Sequence, residues 1–317
     1  MVISTIHFEY TTGCNSKCTM CDYWKNKTPN VIKSEYVTST IASLVSCGLK
    51  KVYFTGGECL LYAKQLFKLC EETKSIYPDL ELELITNGIL IEKYYLEIGQ
   101  YFSKVIISLD SVDNEKYKTI RGVDALSRIQ KGIHLLRTTY PNLLVNVRML
   151  ILNDTVADIL PIIEYAASEN LHHVSFIPED ISSSEAFGRK SPTAISNHHG
   201  SACLAELRNV INTIHSRYSS LFGTLLPHAC EDLEYIYSVY EGKHNNFRRC
   251  NKAAWSCVIN ADGTVNPCFF IRANMSLEKG TDIMDILDSA EYQKMTSIIN
   301  TGNHEACCRC ACPKELS

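Results

Sequence analysis

The chain has 317 residues, 45% of them hydrophobic and 21% charged, a balance that gives a globular protein with a substantial core and excludes a disordered chain. Its net charge of −4 removes any bulk attraction to nucleic acid or anionic lipid, and no apolar run approaches the roughly 18 residues that a membrane-spanning helix needs. The opening residues, MVISTIHFEYTTGC, lack the basic and apolar regions of a secretion signal, so the expectation is a soluble, cytoplasmic protein with neither a nucleic-acid nor a membrane partner.

Short β-rich runs alternate with amphipathic segments over the first two thirds. Strands are predicted over 2–10, 51–55, 80–86, 104–109, 143–150 and 172–177, and helices over 34–47, 63–76, 92–100, 125–139 and 155–168. The continuous apolar stretches Val52-Tyr53-Phe54 and Val105-Ile106-Ile107 fit strands covered on both faces of a parallel sheet. Six βα units are too few for a closed eight-stranded barrel. Residues 179–200, rich in Ser, Pro, His and Gly, read as an irregular connection or an active-site loop. Helices are expected over 202–218 and 230–240. A hairpin follows, with strands over 255–260 and 265–271 turned at Ala261-Asp262-Gly263, and then short helices around 281–299. A domain boundary is expected near residue 225, giving units 1–225 and 226–317.

Fifteen cysteines are the outlying feature of the composition, yet they are too dilute for a disulfide scaffold, which exceeds about 8–10% Cys. Those at 47, 59, 70, 203 and 230 are scattered, as small buried hydrophobes would be. The rest fall in two clusters. Cys14, Cys18 and Cys21 have the spacing C-x3-C-x2-C just after the first strand, at the end where parallel folds place their active sites. Three thiolates are one short of a closed structural zinc site, but they suit a cubane iron–sulfur cluster with one iron left open for chemistry.

With these residues the sequence resembles the radical S-adenosylmethionine (SAM) superfamily. The resemblance implies that Cys14, Cys18 and Cys21 hold a 4Fe–4S cluster whose fourth iron binds SAM. Thr55-Gly56-Gly57-Glu58 then matches the motif that holds the SAM amino group. Thr86-Asn87-Gly88 and Ser108-Leu109-Asp110 fall where the family contacts SAM, and Phe176-Ile177-Pro178 falls where relatives cover the adenine. The implied cofactor contacts are Met20, Gly56, Gly57, Glu58, Thr86, Asn87, Ser108, Asp110 and Ile177, with Arg148 as a candidate partner for a SAM or substrate carboxylate. Two positions depart from the family pattern: Met20 stands where an aromatic residue is usual, and Cys59 where Pro is usual. Arg121-Gly122 also recurs in relatives, although by charge alone Asp113, Glu115 and Arg121 look like an ordinary helix surface.

The second cluster resembles the SPASM and twitch extensions. Cys250, twelve residues, Gly263, four residues and Cys268 match their opening, and Cys307 and Cys310 add a C-x2-C pair. The implied ligand set for an auxiliary 4Fe–4S cluster is Cys250, Cys268, Cys307 and Cys310, with Cys257, Cys308 and Cys312 as competitors. A four-thiolate zinc site is the rival reading. The expected fold is therefore α/β, a partial (β/α)6 TIM-like barrel followed by a small α+β twitch-type iron–sulfur domain. The expected function is reductive cleavage of SAM to a 5′-deoxyadenosyl radical that takes hydrogen from a small metabolite or peptide, as an oxidation in a biosynthetic pathway. The electron would come from a reductant such as flavodoxin or ferredoxin. Two alternatives stand: a peptide-modifying maturase, epimerase or cross-linking enzyme, and a zinc-stabilised α/β binding protein without catalysis. Cys203 and Cys230 are weak candidates for thiols that donate hydrogen to a substrate radical. His172-His173 and His198-His199 read as core or solvated groups, and Glu179-Asp180, after the sixth strand at the mouth of the site, as carboxylates that either orient substrate or face solvent.

Overall fold

The computed structural model describes residues 2–179, 201–243, 250–278, 280–308 and 310. Strands and helices alternate in chain order: β1 (Thr5–Thr11), α1 (Ser34–Val45), β2 (Lys51–Gly56), α2 (Ala63–Ile76), β3 (Glu81–Thr86), α3 (Ile91–Tyr101), β4 (Lys104–Ser108), α4 (Asn114–Arg121), α5 (Leu126–Thr139), β5 (Leu144–Ile151), α6 (Ile159–Ser168) and β6 (His173–Pro178). The six strands pair in parallel with their sequence neighbours. Each connection contains a helix, as parallel pairing requires. Alternation along the strands sets the two faces. Ile6 and Phe8, Val52 and Phe54, Leu82 and Leu84, and Val145 and Val147 are fully buried in one core with Leu66, Ile98, Ile133 and Ile163 from the helices. His7, Tyr53, Arg148 and Ser175 point to the other face.

After β6 come α7 (Ser201–Arg217) and α8 (Ala229–Tyr240), which pack on each other, α8 also against β6. The chain then forms α9 (Lys252–Trp255), β7 (Ser256–Ile259), β8 (Val265–Asn266), α10 (Ile283–Leu287), α11 (Ala290–Asn300) and α12 (Glu305–Cys308). Strand β7 lies parallel to β1, with Thr5 opposite Ser256 and Phe8 opposite Ile259, so the sheet runs β6-β5-β4-β3-β2-β1-β7-β8. The hairpin expected from the Asp-Gly turn is present, and its first strand extends the parallel sheet.

Two details differ from the sequence reading. The strand expected over 265–271 stops at Asn266, because Pro267 has no N–H for the ladder and residues 268–271 close a tight bridge instead. The helix expected from Thr155 begins as a 3-10 turn over Asn153–Asp158, so α6 starts at Ile159.

Candidate cluster and cofactor site

The loop carrying Cys14, Cys18 and Cys21 leaves β1 through an irregularity: Glu9 faces Thr55, but Thr11, not Tyr10, faces Gly56. The loop is anchored at both ends. The Thr12 N–H donates to Asn30 O at 3.0 Å and the Ile32 N–H to Tyr10 O at 2.9 Å, which closes residues 13–29 back onto the strand end. Its middle is tied to the C-terminus of α4, where the Lys17 and Thr19 N–H groups donate to Arg121 O (2.9 Å) and Ile120 O (3.0 Å).

Arg121 is therefore not surface charge. Its side chain is buried; Nη1 lies 3.8 Å from Cys18 Sγ, and Nε forms a 2.6 Å ion pair with the fully buried Asp110. Burial works against its charge, but Asp110 and Cys18 beside it raise the guanidinium above its ordinary pKa. Asp110 in turn accepts the Leu150 N–H at 2.9 Å. Asp110, which the resemblance implies as a SAM contact, has no exposed surface, and its carboxylate is turned to Arg121. Gly122 follows with φ +68°, and a Cβ there would sit 2.4 Å from Lys17 O. That explains the Arg-Gly pair: the arginine braces a thiol and the glycine lets the loop backbone approach.

The Gly-Gly-Glu segment is fitted to the same loop from the other side. The Gly57 and Glu58 N–H groups donate to Thr11 O (2.7 Å) and Gly13 O (2.8 Å). A Cβ on Gly57 would lie 2.1 Å from Gly13 O, and one on Gly56, at φ +131°, 2.3 Å from Thr11 O. We expect Gly57→Ala to displace the cluster loop at a cost of about 1–3 kcal/mol and to abolish SAM binding in anaerobic calorimetry. Gly242→Ala, where a Cβ meets nothing within 4 Å, should leave SAM binding intact.

Glu58 is fully buried, and its carboxylate accepts Thr86 Oγ1 at 2.9 Å, the Asn87 N–H at 2.8 Å and the Leu60 N–H at 3.1 Å. Burial raises its pKa, and these bonds oppose the rise. Through Asn87 it reaches the cluster loop, since Asn87 Nδ2 donates to Asn15 Oδ1 at 2.8 Å and lies 3.8 Å from Cys14 Sγ. Cys59 is buried, with its thiol directed at Thr55 O, so it keeps the turn closed where a proline would have stiffened it.

The three thiols suit metal ligation. Burial pushes Cys14 up to about 11 and Cys21 up to about 12. Both thiols therefore stay protonated near neutral pH unless a bound cation takes up their charge. Cys14 Sγ also accepts the Ser16 N–H at 3.5 Å, and Ser16 Oγ lies 3.2 Å from Cys18 Sγ; such N–H and O–H groups stabilise sulfur ligands. Met20, Ser108, Arg148 and Ile177 are half-buried, and Ser108 and Arg148 face each other across β4 and β5. Arg148 Nε donates to Ser175 Oγ at 3.4 Å.

In the C-terminal part, Cys268 and Cys307 border one small apolar cluster of Ala253, Ile271 and Ile299. Cys250 lies two residues before α9, which carries Ala253, and Tyr235 of α8 donates to Cys310 O at 2.9 Å. All four are half-buried, whereas Cys257 is fully buried on β7 opposite Ile6. The Cys308 side chain, Cys312, Asp180 and His198-His199 lie outside the described residues. Among the described residues, no three Cys, His, Asp or Glu side chains converge on a single metal ion. Cys203 and Cys230 pack half-buried against the main core with burial-raised pKa values, the surroundings of unreactive thiols. His172 Nδ1 accepts the Val145 N–H at 3.0 Å, and burial lowers His173 to about 4, so its ring is neutral.

Sequence reasoning passed over the polar residues of β1. His7 stacks on Tyr53 at 4.5 Å and meets the edge of Phe269 at 5.0 Å. Among the described residues its buried Nδ1 has no hydrogen-bond partner, and burial, with Lys252 and Arg148 nearby, lowers it to about 3, so it is neutral. The signal was the alternation itself: in TIHFEYT, His7 and Glu9 are the titratable residues of the polar face that they share with Thr5 and Thr11.

Cluster loop, glycine-rich brace and parallel sheet are those of an enzyme class that pairs an iron–sulfur cluster with SAM. The radical SAM superfamily model matches residues 8–166 and an iron–sulfur cluster-binding (SPASM) domain model matches 250–313, so the chain belongs to the radical SAM superfamily and carries a C-terminal SPASM domain. It accordingly takes a 4Fe–4S cluster with SAM and an auxiliary iron–sulfur cluster. It is 23% identical to the GTP 3′,8-cyclase of Campylobacter jejuni over 304 residues, 91% of this chain and 87% of that one. Identity is 31% over 134 residues to a probable GTP 3′,8-cyclase of Archaeoglobus fulgidus, covering 42% of this chain and 44% of the relative. With the Chlorobaculum tepidum enzyme it is 30% over 167 residues, 50% and 48%. The chain thus matches under half the length of these last two enzymes. Two solved structures share the fold: Streptococcus suis SuiB bound to precursor peptide SuiA (TM-score 0.67, 17% identity, 93% of this chain and 67% of that one), and native anSMEcpe with bound AdoMet (TM-score 0.67, 18%, 92% and 82%).

Proposed function

We propose that the enzyme takes a hydrogen atom from a small, polar metabolite held on the face of the sheet that carries His7, Tyr53, Arg148 and Ser175, as the opening step of an oxidation in a biosynthetic pathway. The observation that carries this is Phe269: the residue after Cys268, 45% exposed, lies against His7, so the auxiliary-cluster segment and the polar sheet face share one wall. Cys14, Cys18 and Cys21 would hold the SAM-binding cluster, and Cys250, Cys268, Cys307 and Cys310 the auxiliary one. When bound and reduced by a flavodoxin or ferredoxin, the first group supplies a 5′-deoxyadenosyl radical from SAM. The chain's own share is orientation and exclusion of water. Neutral His7 offers the substrate a hydrogen-bonding edge between two aromatic rings, and Arg148 offers a positive group at the level of Ser108 and Ser175.

The deciding experiment is anaerobic incubation of reconstituted protein with dithionite and SAM, with 5′-deoxyadenosine read by mass spectrometry. Formation of 5′-deoxyadenosine is expected, and deuterium carried into it from a labelled metabolite identifies the substrate. Protein with a full iron complement that forms none would exclude the proposal. The alignment with C. jejuni GTP 3′,8-cyclase over 304 residues supports a second reading, cyclisation of GTP, which makes GTP the first substrate to try.

Cys268→Ala should lower iron content by up to half, the share of one of two cubanes, and abolish product while 5′-deoxyadenosine still forms without it. Full iron and full turnover in this variant would remove Cys268 from the ligand set.

A further inference from the structure

Glu9 lies on β1, one residue beyond the last pair that this strand makes with β7, Phe8 and Ile259. Its carboxylate is 9% exposed and has one oxygen for each of two distant segments. Oε1 accepts the hydroxyl of Tyr23, which starts the 3-10 turn Tyr23–Lys25 two residues after Cys21. Oε2 accepts the Ala261 N–H at 3.1 Å, at the turn between β7 and β8, and β8 ends two residues before Cys268. The hairpin is set from behind as well. Gly263 has φ +89°, and a Cβ there would meet the Tyr36 ring at 3.0 Å.

We propose that Glu9 is a positioning residue that ties the loop of the SAM-binding cluster to the hairpin of the auxiliary cluster and so fixes the placement of one cluster relative to the other. The backbone ladder between β1 and β7 ends at Phe8, and beyond it the Glu9 carboxylate takes over the link, where the two cluster-bearing segments diverge. A buried carboxylate accepting two hydrogen bonds is costly to place in an apolar interior, so its retention in a strand calls for a reason beyond packing. The tether rests on the two-cluster reading above, and its test separates the two.

The test is electron paramagnetic resonance of dithionite-reduced protein, in which each cluster's spin speeds the relaxation of the other according to their separation. Glu9→Ala removes both arms. Glu9→Gln keeps both, because its amide oxygen still accepts from Ala261 and its NH2 donates to the Tyr23 oxygen. Tyr23→Phe removes one arm with minimal change of shape. Altered inter-cluster relaxation is expected in Glu9→Ala and Tyr23→Phe at full iron content, and wild-type relaxation in Glu9→Gln. Should Glu9→Ala fail to fold, Tyr23→Phe decides: wild-type relaxation there overturns the tether. Unchanged relaxation in Glu9→Ala, or a change in Glu9→Gln equal to that in Glu9→Ala, overturns it too. A wild-type protein lacking one of the two signals overturns the two-cluster reading and the tether with it.

Discussion

Replacing Cys14, Cys18 and Cys21 together by alanine should abolish SAM cleavage and leave about half the iron, as expected for two independent cubanes. The two thiol sets lie on different supports. Arg121, Ser16 and Asn87 surround the first, whereas the second borders the Ala253–Ile271–Ile299 cluster and the Tyr235 hydroxyl. Among the described residues, the contacts that frame the auxiliary set come from Ala253, Ile271, Ile299 and Tyr235 and include none of the three N-terminal thiols, so removing those thiols should not unfold it. Iron analysis, visible absorbance and 5′-deoxyadenosine assays of the triple variant check this. Complete loss of iron would mean that the sets fold as one unit, and retained SAM cleavage would remove these cysteines from the reaction.

Arg121→Met should be the most destabilising single change near the site, at about 3–5 kcal/mol, the usual cost of stripping one partner from a buried ion pair. Asp110 has no exposed surface, so its charge would stay buried with, among the described residues, the Leu150 N–H left to meet it. The thiol of Cys18 would lose its cationic neighbour in the same step. The combined change Asp110→Asn with Arg121→Met should recover a large part of the loss, because asparagine keeps an acceptor for Leu150 and leaves no charge behind. Denaturant titration of Arg121→Met, Asp110→Asn and the double variant under anaerobic conditions reads the difference. If the double variant is as unstable as the sum of the single ones, the pair is not coupled as described.

The sheet was legible because its strands are buried on the helix-covered face and their apolar residues recur: Ile6 and Phe8, or Val145 and Val147, announce a core whatever their partners are. The cluster loop was legible because metal-ligand spacing is local in sequence. Arg121 was not. Its neighbours in the chain are Lys118, Thr119 and Ile120, so it reads as helix charge until the fold brings Cys18, 103 residues away, to its guanidinium. Glu9 was hidden for the same reason, with Ala261 lying 252 residues further on. Polar groups that act at long range carry no periodic signature, since a single pairing leaves no pattern to count. The hairpin was recognised from Asp262-Gly263, but that its first strand would lie against β1 depends on an edge partner that local pattern does not name.

That parallel pairing of β1 with β7 has a consequence for how the chain reaches its folded state. The first strand of the chain is completed by one made some 250 residues later, so the contact closes a loop of that length. Contacts of such long sequence separation slow folding. Until β7 docks, one edge of β1 offers unpaired N–H and C=O groups to any neighbouring chain, which is the hazard of an exposed strand edge. Synthesis at about 5–20 residues per second keeps that edge open for tens of seconds after β1 emerges. The last quarter of the molecule thus serves as the lock on its first strand, quite apart from the cluster it carries.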